Sequence, residues 1–324
     1  MLRYVLRRLA WAIPTLIFVT FLVYIALRIG TDPVASYKRI NPRATKAKIA
    51  QYIEVNGLDP NYVRGYFRWL GNFVTLDWPR SIKGSREVWP QLKDALANTI
   101  RLGVAASSVG IVIGLGLGVF AALRPGGRRD VAVNTAAFVG ISIPPYVSAI
   151  LFQLLFAVYW SRWFGSTLFP TSGVYPPGQL GFDLGLMLKH KVLPTFVVAI
   201  QIIAVYSRYM RSSLLDVLNS EYMRTARSKG ISEARVLFRH GLRNALIPVV
   251  TIAALDVGAI VGGLIITENV FSYPGMGKYF LSAFGEGDFP LLMPWMVIIV
   301  ASTLFFNLLA DISYAWLDPR IRLA

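Results

Sequence analysis

Asp256 is the residue hardest to explain as ordinary surface chemistry. It stands midway along the apolar run 245–267, where a carboxylate in hydrocarbon costs at least ~2.5 kcal/mol. Such a group faces a bundle interior or a water-filled path. There it either attracts a cationic group in transit or accepts a hydrogen bond from a neighbouring helix, with Asn134 and Gln201 as available donors. Other reactive chemistry is scarce. The 324 residues include no Cys, and only His190 and His240. Disulfides, thiolate metal sites and Cys nucleophiles are excluded, and a His-based metal site or triad lacks material. Both histidines sit at the ends of apolar runs, so a Ser–His pair at bilayer depth has no candidate. The pattern G-x-x-x-x-G-K-S/T, which cradles nucleotide phosphates, is absent. In SYPGMGKY, Ser272 stands where the glycine preceding Gly277-Lys278 belongs.

The elements that position Asp256 are membrane spans. Hydrophobic residues make up 55% of the chain and charged ones 15%, against ~25% charged in soluble proteins. Six runs approach the ~20 apolar residues that a spanning helix needs: 9–29, 98–123, 131–160, 192–207, 245–267 and 289–316. The first is longer than the apolar core of a signal peptide and reads as an uncleaved helix. The third is interrupted by Pro144 and Pro145, which a membrane tolerates only if neighbours satisfy the freed carbonyls. The fourth is short unless it starts near Leu186. Gly110, Gly114 and Gly118 recur every four residues, and Gly258 and Gly262 repeat the spacing; both predict close helix packing.

The 33 Lys and Arg exceed the 17 Asp and Glu, giving a formal charge of +16. These cations flank apolar runs instead of covering a soluble face, which points to membrane lipid and away from nucleic acid. Arg3, Arg7 and Arg8, then Arg124, Arg128 and Arg129, then the basic residues of 208–244, then Arg320 and Arg322 all fall on one side of six spans. The bias predicts N-in and C-in. Residues 31–96 fall outside, with turn signals at Asp32-Pro33, Asn41-Pro42, Asp59-Pro60 and Trp78-Pro79. They predict a small, partly helical extracytoplasmic element on the membrane face. The chain thus divides into a first span (1–30), this element (31–96), a five-span core (97–316) and a tail (317–324).

The cytoplasmic loop 208–244 carries the densest signals. Ser220 is placed to cap a helix with Glu221 in its first turn, Gly230 suits a helix end needing positive φ, and Ser232 is placed to cap a second short helix from Glu233. Two short helices about a glycine make a projecting knob; a basic loop lying on anionic lipid is the alternative. This loop resembles the EAA loop of ABC importer permeases. Arg224, Thr225 and Ala226 stand where that family has Glu-Ala-Ala, Gly230 is its glycine, and Pro248 is similar to its later proline. The Arg-Thr-Ala-Arg-x-Lys-Gly version is that of the dipeptide/oligopeptide permeases. The opening MLRYVLRRL, GTDP at 30–33, VNGLDP at 55–60, SIPPY at 142–146, ENVFSYPGMGKYFLSAFGEGDFPL at 268–291 and the closing YAWLDPRIR are also similar to that subfamily. One departure lies before Ser81, where the family usually has Gly-Asp-x-Gly and here Leu76, Asp77, Trp78, Pro79 and Arg80 precede the serine.

The resemblance implies an all-α membrane protein with the type I ABC importer permease fold, resident in the bacterial plasma (inner) membrane, performing no catalysis itself. It implies a second homologous permease forming a heterodimer, two ATPase subunits that bind ATP and Mg, and an extracytoplasmic substrate-binding protein. The ATPase-coupling residues it implies are Glu221, Arg224, Thr225, Ala226, Lys229, Gly230 and Ile231. The candidate translocation pathway comprises Asp256, Pro144, Pro145, Gln201 and Glu268, with Glu268 read as ending the fifth span. Phe271, Tyr273, Pro274, Gly275 and Gly277 form a candidate external gate or docking turn, although Phe271 and Tyr273 equally suit interfacial aromatics. The expected cargo is dipeptides or oligopeptides. A metal chelate or haem in the same transporter class, and an ion-coupled secondary carrier using Asp256, are the alternatives.

Overall fold

Short polar side chains start the helices of the first third of the chain. After α1 (Leu2–Thr31), Asp32 accepts from the Ala35 N–H at 3.1 Å and Pro33 opens α2 (Pro33–Ile40). Thr45 caps α3 (Lys46–Val55), accepting from Lys48 N–H at 3.4 Å, and Asn61 caps α4 (Tyr62–Val74), accepting from Arg64 N–H at 3.0 Å. Each cap satisfies a donor that a helix start leaves open. The computed structural model describes residues 2–83, 86–176 and 183–317, with no strand among them. Most of the expected tail, 318–324, lies outside the described residues. The chain sorts into two units: 1–99, 258–265 and 274–312 form the first, and the remainder forms the second.

In the first unit the 31–96 segment shares a core with α1. Tyr24, Tyr66, Trp69 and Phe289 are at most 2% exposed and pack together with Leu292 and Met293. Thr20 Oγ1 and Tyr66 Oη share a 2.8 Å hydrogen bond, and the Tyr24 hydroxyl donates to the Gly57 carbonyl. A Cβ on Gly65 would fall 2.1 Å from Gly57 O, so the α3–α4 connection closes onto α4 only because both positions are glycine. Further along, Leu76 holds φ +62, a left-handed conformation that glycine adopts freely and a side chain with a Cβ does not. The turn holds this leucine at roughly 1–2 kcal/mol of backbone strain.

Ser81, just beyond that turn, reaches Asp288. Its hydroxyl donates to Asp288 Oδ2 at 2.5 Å and the Ile82 N–H does so at 3.2 Å. Asp288 is fully buried, and its Oδ1, like the buried hydroxyls of Tyr52 and Tyr279, has no hydrogen-bond partner among the described residues. Burial drives the Asp288 carboxyl from 3.8 up to about 6, with nearby Glu286 pushing the same way against the hydrogen bonds from Ser81, Leu291 and Ile82. Glu286 is itself paired with Lys83 at 2.7 Å.

The second unit is organised by α5 (Val88–Ala122) and α9 (Leu184–Leu218), the latter longer at both ends than the expected span 192–207. The glycine spacing has the predicted consequence. A Cβ on Gly110 would lie 2.6 Å from Ile202 Cβ, on Gly114 3.0 Å from Tyr206 Cβ, and on Gly118 2.6 Å from both Met210 Cβ and Ser207 O. Between them come α6 (Arg128–Ser142), α7 (Pro145–Gln153), a wide π-helical turn (Leu154–Tyr159) and α8 (Trp160–Phe164). The Pro144-Pro145 break thus separates α6 from α7. Gln201 of α9 repairs it: its amide donates to Gly140 O at 2.9 Å and Ile143 O at 3.1 Å. Lower on α9, Arg211 grips Asp130, with Nη2 2.7 Å from Oδ2, while Gly126 N–H and Asn134 also donate to that carboxylate. The Arg211 hydrogen bonds foremost hold the Asp130 carboxyl down to about 2.

Beyond α9 the structure corrects the expected loop 208–244. Residues 208–218 continue α9, and only 219–232 are a projecting connection. Within it lies α10 (Glu221–Ser228), and α11 (Glu233–Arg235) runs through a second π-helical stretch (Val236–Leu242) directly into α12 (Arg243–Val261). The second short helix is therefore the start of the fifth apolar helix. That helix is also shorter than 245–267: it ends at Val261, Gly263 turns at φ +96, and α13 (Ile265–Val270) is separate. Then follow α14 (Met276–Glu286) and α15 (Phe289–Leu317). Among the described residues, five stretches are long and apolar enough to cross a membrane: Leu6–Thr31, Val88–Ala122, Pro145–Phe164, Leu184–Leu218 and Phe289–Leu309, each less than half buried. Their uncovered apolar faces suit lipid or partner helices.

Two outcomes follow. A carboxyl whose folded pKa is raised contributes stability that is complete below its unfolded value near 3.8 and lost as pH rises through about 6. Hydrogen-exchange protection of residues 33–83 in the purified protein should therefore fall between about pH 4 and pH 6.5 and level off above it, and Asp288→Asn should abolish that slope; an unchanged slope would refute the assignment. Gln201→Leu strands two half-buried carbonyls and should destabilise the purified protein by about 1–3 kcal/mol, read as a lowered thermal midpoint. No loss of stability would mean the amide serves the pathway alone.

Candidate functional site

The projecting connection is built on a small apolar centre. Met223 and Val236 are fully buried and Ala226 nearly so, packed with Val217, Leu218 and Ile231. Of the seven coupling candidates, Ala226 thus faces the interior and Ile231 is half-buried, while Glu221, Arg224, Thr225, Lys229 and Gly230 are exposed and form the outward crest. Ser220 and Ser232 occupy the N-cap positions, but their hydroxyls accept no bond from the N–H groups of the helices that follow; the Ser220 hydroxyl instead donates to Val217 O at 2.6 Å. Glu221 stands at the α10 N-terminus, where a carboxylate is favoured, and pairs with Arg224 at 3.1 Å. Gly230 has φ +71 with open space around the missing side chain, so backbone conformation alone requires glycine there.

The knob is bound to both helices that carry it. Arg227 bridges to Glu233 at 3.1 Å, joining α10 to α11. Asn244 of α12 donates to the Tyr222 hydroxyl at 3.1 Å, and Ser213 of α9 donates to Ala245 O at 2.8 Å. Tyr206, Met210 and Leu214 of α9 pack with Ala245 and Val249 of α12. A push on α10 therefore displaces α9 and α12 together.

On α12, Asp256 lies exposed on this single chain, and Tyr206 donates to its Oδ2 at 2.7 Å. The expected donors are engaged elsewhere: Asn134 on Asp130 and Gln201 on the α6–α7 break. Tyr206 is 2% exposed and had no sequence signal of its own beyond standing opposite Gly114 once the helices are paired.

The residues of the outer turn belong to two units. In the second, Glu268 is fully buried on α13 and does not terminate the fifth helix. Phe271 and Tyr273 are at most 1% exposed, so they are core residues and not interfacial aromatics. Phe271 O accepts from Gly173 N–H at 3.0 Å, and Gln153 donates to Val270 O at 3.2 Å. In the first unit, Pro274 O accepts from Asn98 at 3.0 Å, Met276 N–H donates to Thr99 Oγ1 at 2.7 Å, and Trp295 donates to Met276 O at 2.9 Å. A Cβ on Gly277 would lie 2.4 Å from Ile265 Cα, so glycine is needed there for close approach; Gly275 is merely extended.

Comparison with known proteins agrees with this architecture. Residues 114–323 match the family described as binding-protein-dependent transport system inner membrane component. The chain is 38% identical to the oligopeptide transport system permease protein AppB of Bacillus subtilis, with 99% of each chain covered. It is 34% identical to the di/tripeptide transport system permease protein DppB of Pseudomonas aeruginosa and 32% identical to the dipeptide transport system permease protein DppB of Escherichia coli, again over 99% of each. Among solved structures, the inward-facing MetNI methionine ABC transporter matches 69% of this chain and 95% of its own at a TM-score of 0.52 and 18% identity. An amino acid ABC transporter with histidines matches 69% and 92% at 0.51 and 15%. These last two speak to the fold alone. By its match over most of the sequence and its full-length relatives, the chain belongs to the family of binding-protein-dependent transport system inner membrane components.

Proposed function

We propose that this chain is a transmembrane permease subunit of an ATP-driven importer of short peptides. The carrying observation is the knob: a crest of exposed polar residues on α10, fixed through Gly230 and a shared apolar centre to two membrane helices. Members of the family work with ATPase and substrate-binding partners, and its permeases are transport subunits, not enzymes. The peptide cargo is taken from the names of the relatives. For this chain we infer six spans with both termini in the cytoplasm, α12 being the fifth. A second homologous permease completes a heterodimer, two ATPase subunits bind ATP and Mg, and an extracytoplasmic binding protein delivers peptide.

The mechanism follows from rigidity. ATP closes the ATPase subunits on the crest of Glu221, Arg224, Thr225 and Lys229. Because α9, α10 and α12 move together, closure rocks the mid-membrane segment of α9 and α12 that carries Tyr206 and Asp256. An exposed carboxylate at that depth has no place against lipid, so it lines the route or meets the second permease at its edge. A cationic peptide group passing it gains a counter-charge, while Tyr206 holds the carboxylate in position.

Two experiments on the reconstituted complex test this. Gly230→Val forces a β-branched residue into left-handed backbone and should abolish substrate-stimulated ATP hydrolysis while leaving membrane insertion intact; Gly230→Asn, which tolerates that conformation, should restore most of it. Equal loss in both variants would refute the backbone role, and uptake persisting without ATP but collapsing with the proton gradient would favour a carrier. Asp256→Asn should slow peptides with cationic side chains about ten-fold relative to acidic ones. Equal rates for all peptide charges would remove Asp256 from the route.

A further inference from the structure

We propose that α4 is no part of an external cap but lies within the outer leaflet, with Val63, Phe67 and Val74 packed against lipid acyl chains. Its depth stands on contacts with α1 alone; the choice of leaflet rests on the importer orientation.

The first helix supplies the ruler. Leu6–Thr31 is long and apolar enough to cross a membrane, and its 26 residues measure ~39 Å. Arg28 stands one turn from the end of that stretch. Its guanidinium donates to Tyr24 Oη at 3.0 Å and to Leu58 O at 3.2 Å, and it covers the Tyr62 ring at 4.4 Å. A cation among tyrosines is characteristic of a helix where it passes the membrane–water boundary.

The fourth helix starts at this level and lies against α1 below it. A Cβ on Gly65 would fall 2.5 Å from Tyr24 Oη, and Tyr24 is one turn deeper than Arg28. The Tyr66 ring meets Phe21 and Tyr24 edge-on, with centroids 5.2 and 5.6 Å apart. Its hydroxyl reaches further, donating to Ile17 O at 3.0 Å and sharing a bond with Thr20. Ile17 is eleven residues from Arg28, or ~16 Å along the helix, close to the middle of the span. In an external cap this hydroxyl would have water. At this depth a polar group must find its partner in the protein, and Tyr66 finds a carbonyl and a hydroxyl of α1 itself.

These contacts occupy one side of α4, where Gly65, Tyr66 and Trp69 are buried. Val63, Phe67 and Val74 are each more than half exposed, and at about 100° per residue they fall within about 40° of one another. At the same depth α1 leaves Phe18 and Leu22 uncovered, so lipid is already the neighbour there. Arg64 borders the stripe, and Arg68 beyond it pairs with Asp59 at 3.1 Å. Long arginine stems keep to apolar surroundings while carrying their charge to the headgroups. An apolar stripe flanked by arginines is the pattern of a helix sunk about 5–10 Å into the acyl boundary.

The chain contains no cysteine, so single cysteines can carry a nitroxide without other changes. The labelled chain is assembled into the complete transporter in nanodiscs, and collisions with dissolved oxygen and with a water-soluble nickel chelate are measured. Labels at Val63→Cys, Phe67→Cys and Val74→Cys should meet oxygen and not nickel, at a depth of about 5–10 Å. Lys48→Cys, exposed on α3, should show the reverse. Nickel access along the stripe equal to that at Lys48→Cys would leave α4 in water and overturn the insertion. Shielding from both reagents would give the stripe to the second permease and overturn the lipid contact. The leaflet is read separately, in sealed proteoliposomes whose ATPase subunits face outward. There an impermeant thiol reagent should leave Lys48→Cys unmodified. Rapid modification would move α4 to the inner leaflet and sink the importer orientation, a failure distinct from that of the depth.

Discussion

Two helices can approach until backbone meets side chain only where one of them carries nothing on the facing surface, and α5 provides that surface at Gly110, Gly114 and Gly118. Within lipid there is little hydrophobic drive to hold helices together, so close packing of small residues supplies the association. The second unit depends on this contact because α9 carries its other fixed points. Gln201 satisfies the carbonyls at the proline break, Tyr206 holds Asp256, Arg211 holds Asp130, and Ser213 with Leu214 ties in α12. If α9 shifted by one turn against α5, it would misplace all four.

The glycine repeat and the Gly230 turn were legible in the sequence because both are local. A four-residue period marks one helix face, and a glycine after a capped amphipathic turn marks left-handed backbone. The break at Pro144-Pro145 was equally local, and the expected need for donors from a neighbour was met by Gln201. What stayed hidden depended on partners distant in the chain. Ser81 and Asp288 stand 207 residues apart, and nothing in either segment points to the other. Asn134 and Gln201 were plausible donors for Asp256 by chemistry, but the pairing of α5 with α9 turned Tyr206 toward it instead. Boundaries failed for a related reason. Polar and basic residues after Ser207 read as loop, yet α9 continues because one side of the extension, Met210 and Leu214, is buried against α12.

The first unit obeys a different constraint. Its outer element is held to α1 by aromatic packing and to Asp288 by a carboxylate that burial makes reluctant to ionise. Leu76 adds stored strain where glycine would have relaxed the turn. Packing of Tyr24, Tyr66 and Trp69 outweighs both costs, since burying large aromatic surfaces yields several kcal/mol. An outer element fastened by a strong apolar core and a weak polar edge can loosen at Ser81 without leaving α1.

Charge placement inside the spans links the two halves of the proposed mechanism. A membrane helix tolerates a lone ion only where something answers it, whether a partner, water or a passing ligand. Asp130 is answered within the chain by Arg211, Asn134 and the Gly126 N–H, which makes it structural. Asp256 receives one hydroxyl and is exposed on this chain. The same physics that classes Asp130 as a fastening therefore classes Asp256 as an open site. A cationic group that passes Asp256 gains a counter-charge from a carboxylate that Tyr206 holds in place, and it does so without breaking the Arg211–Asp130 pair on which the helix packing depends.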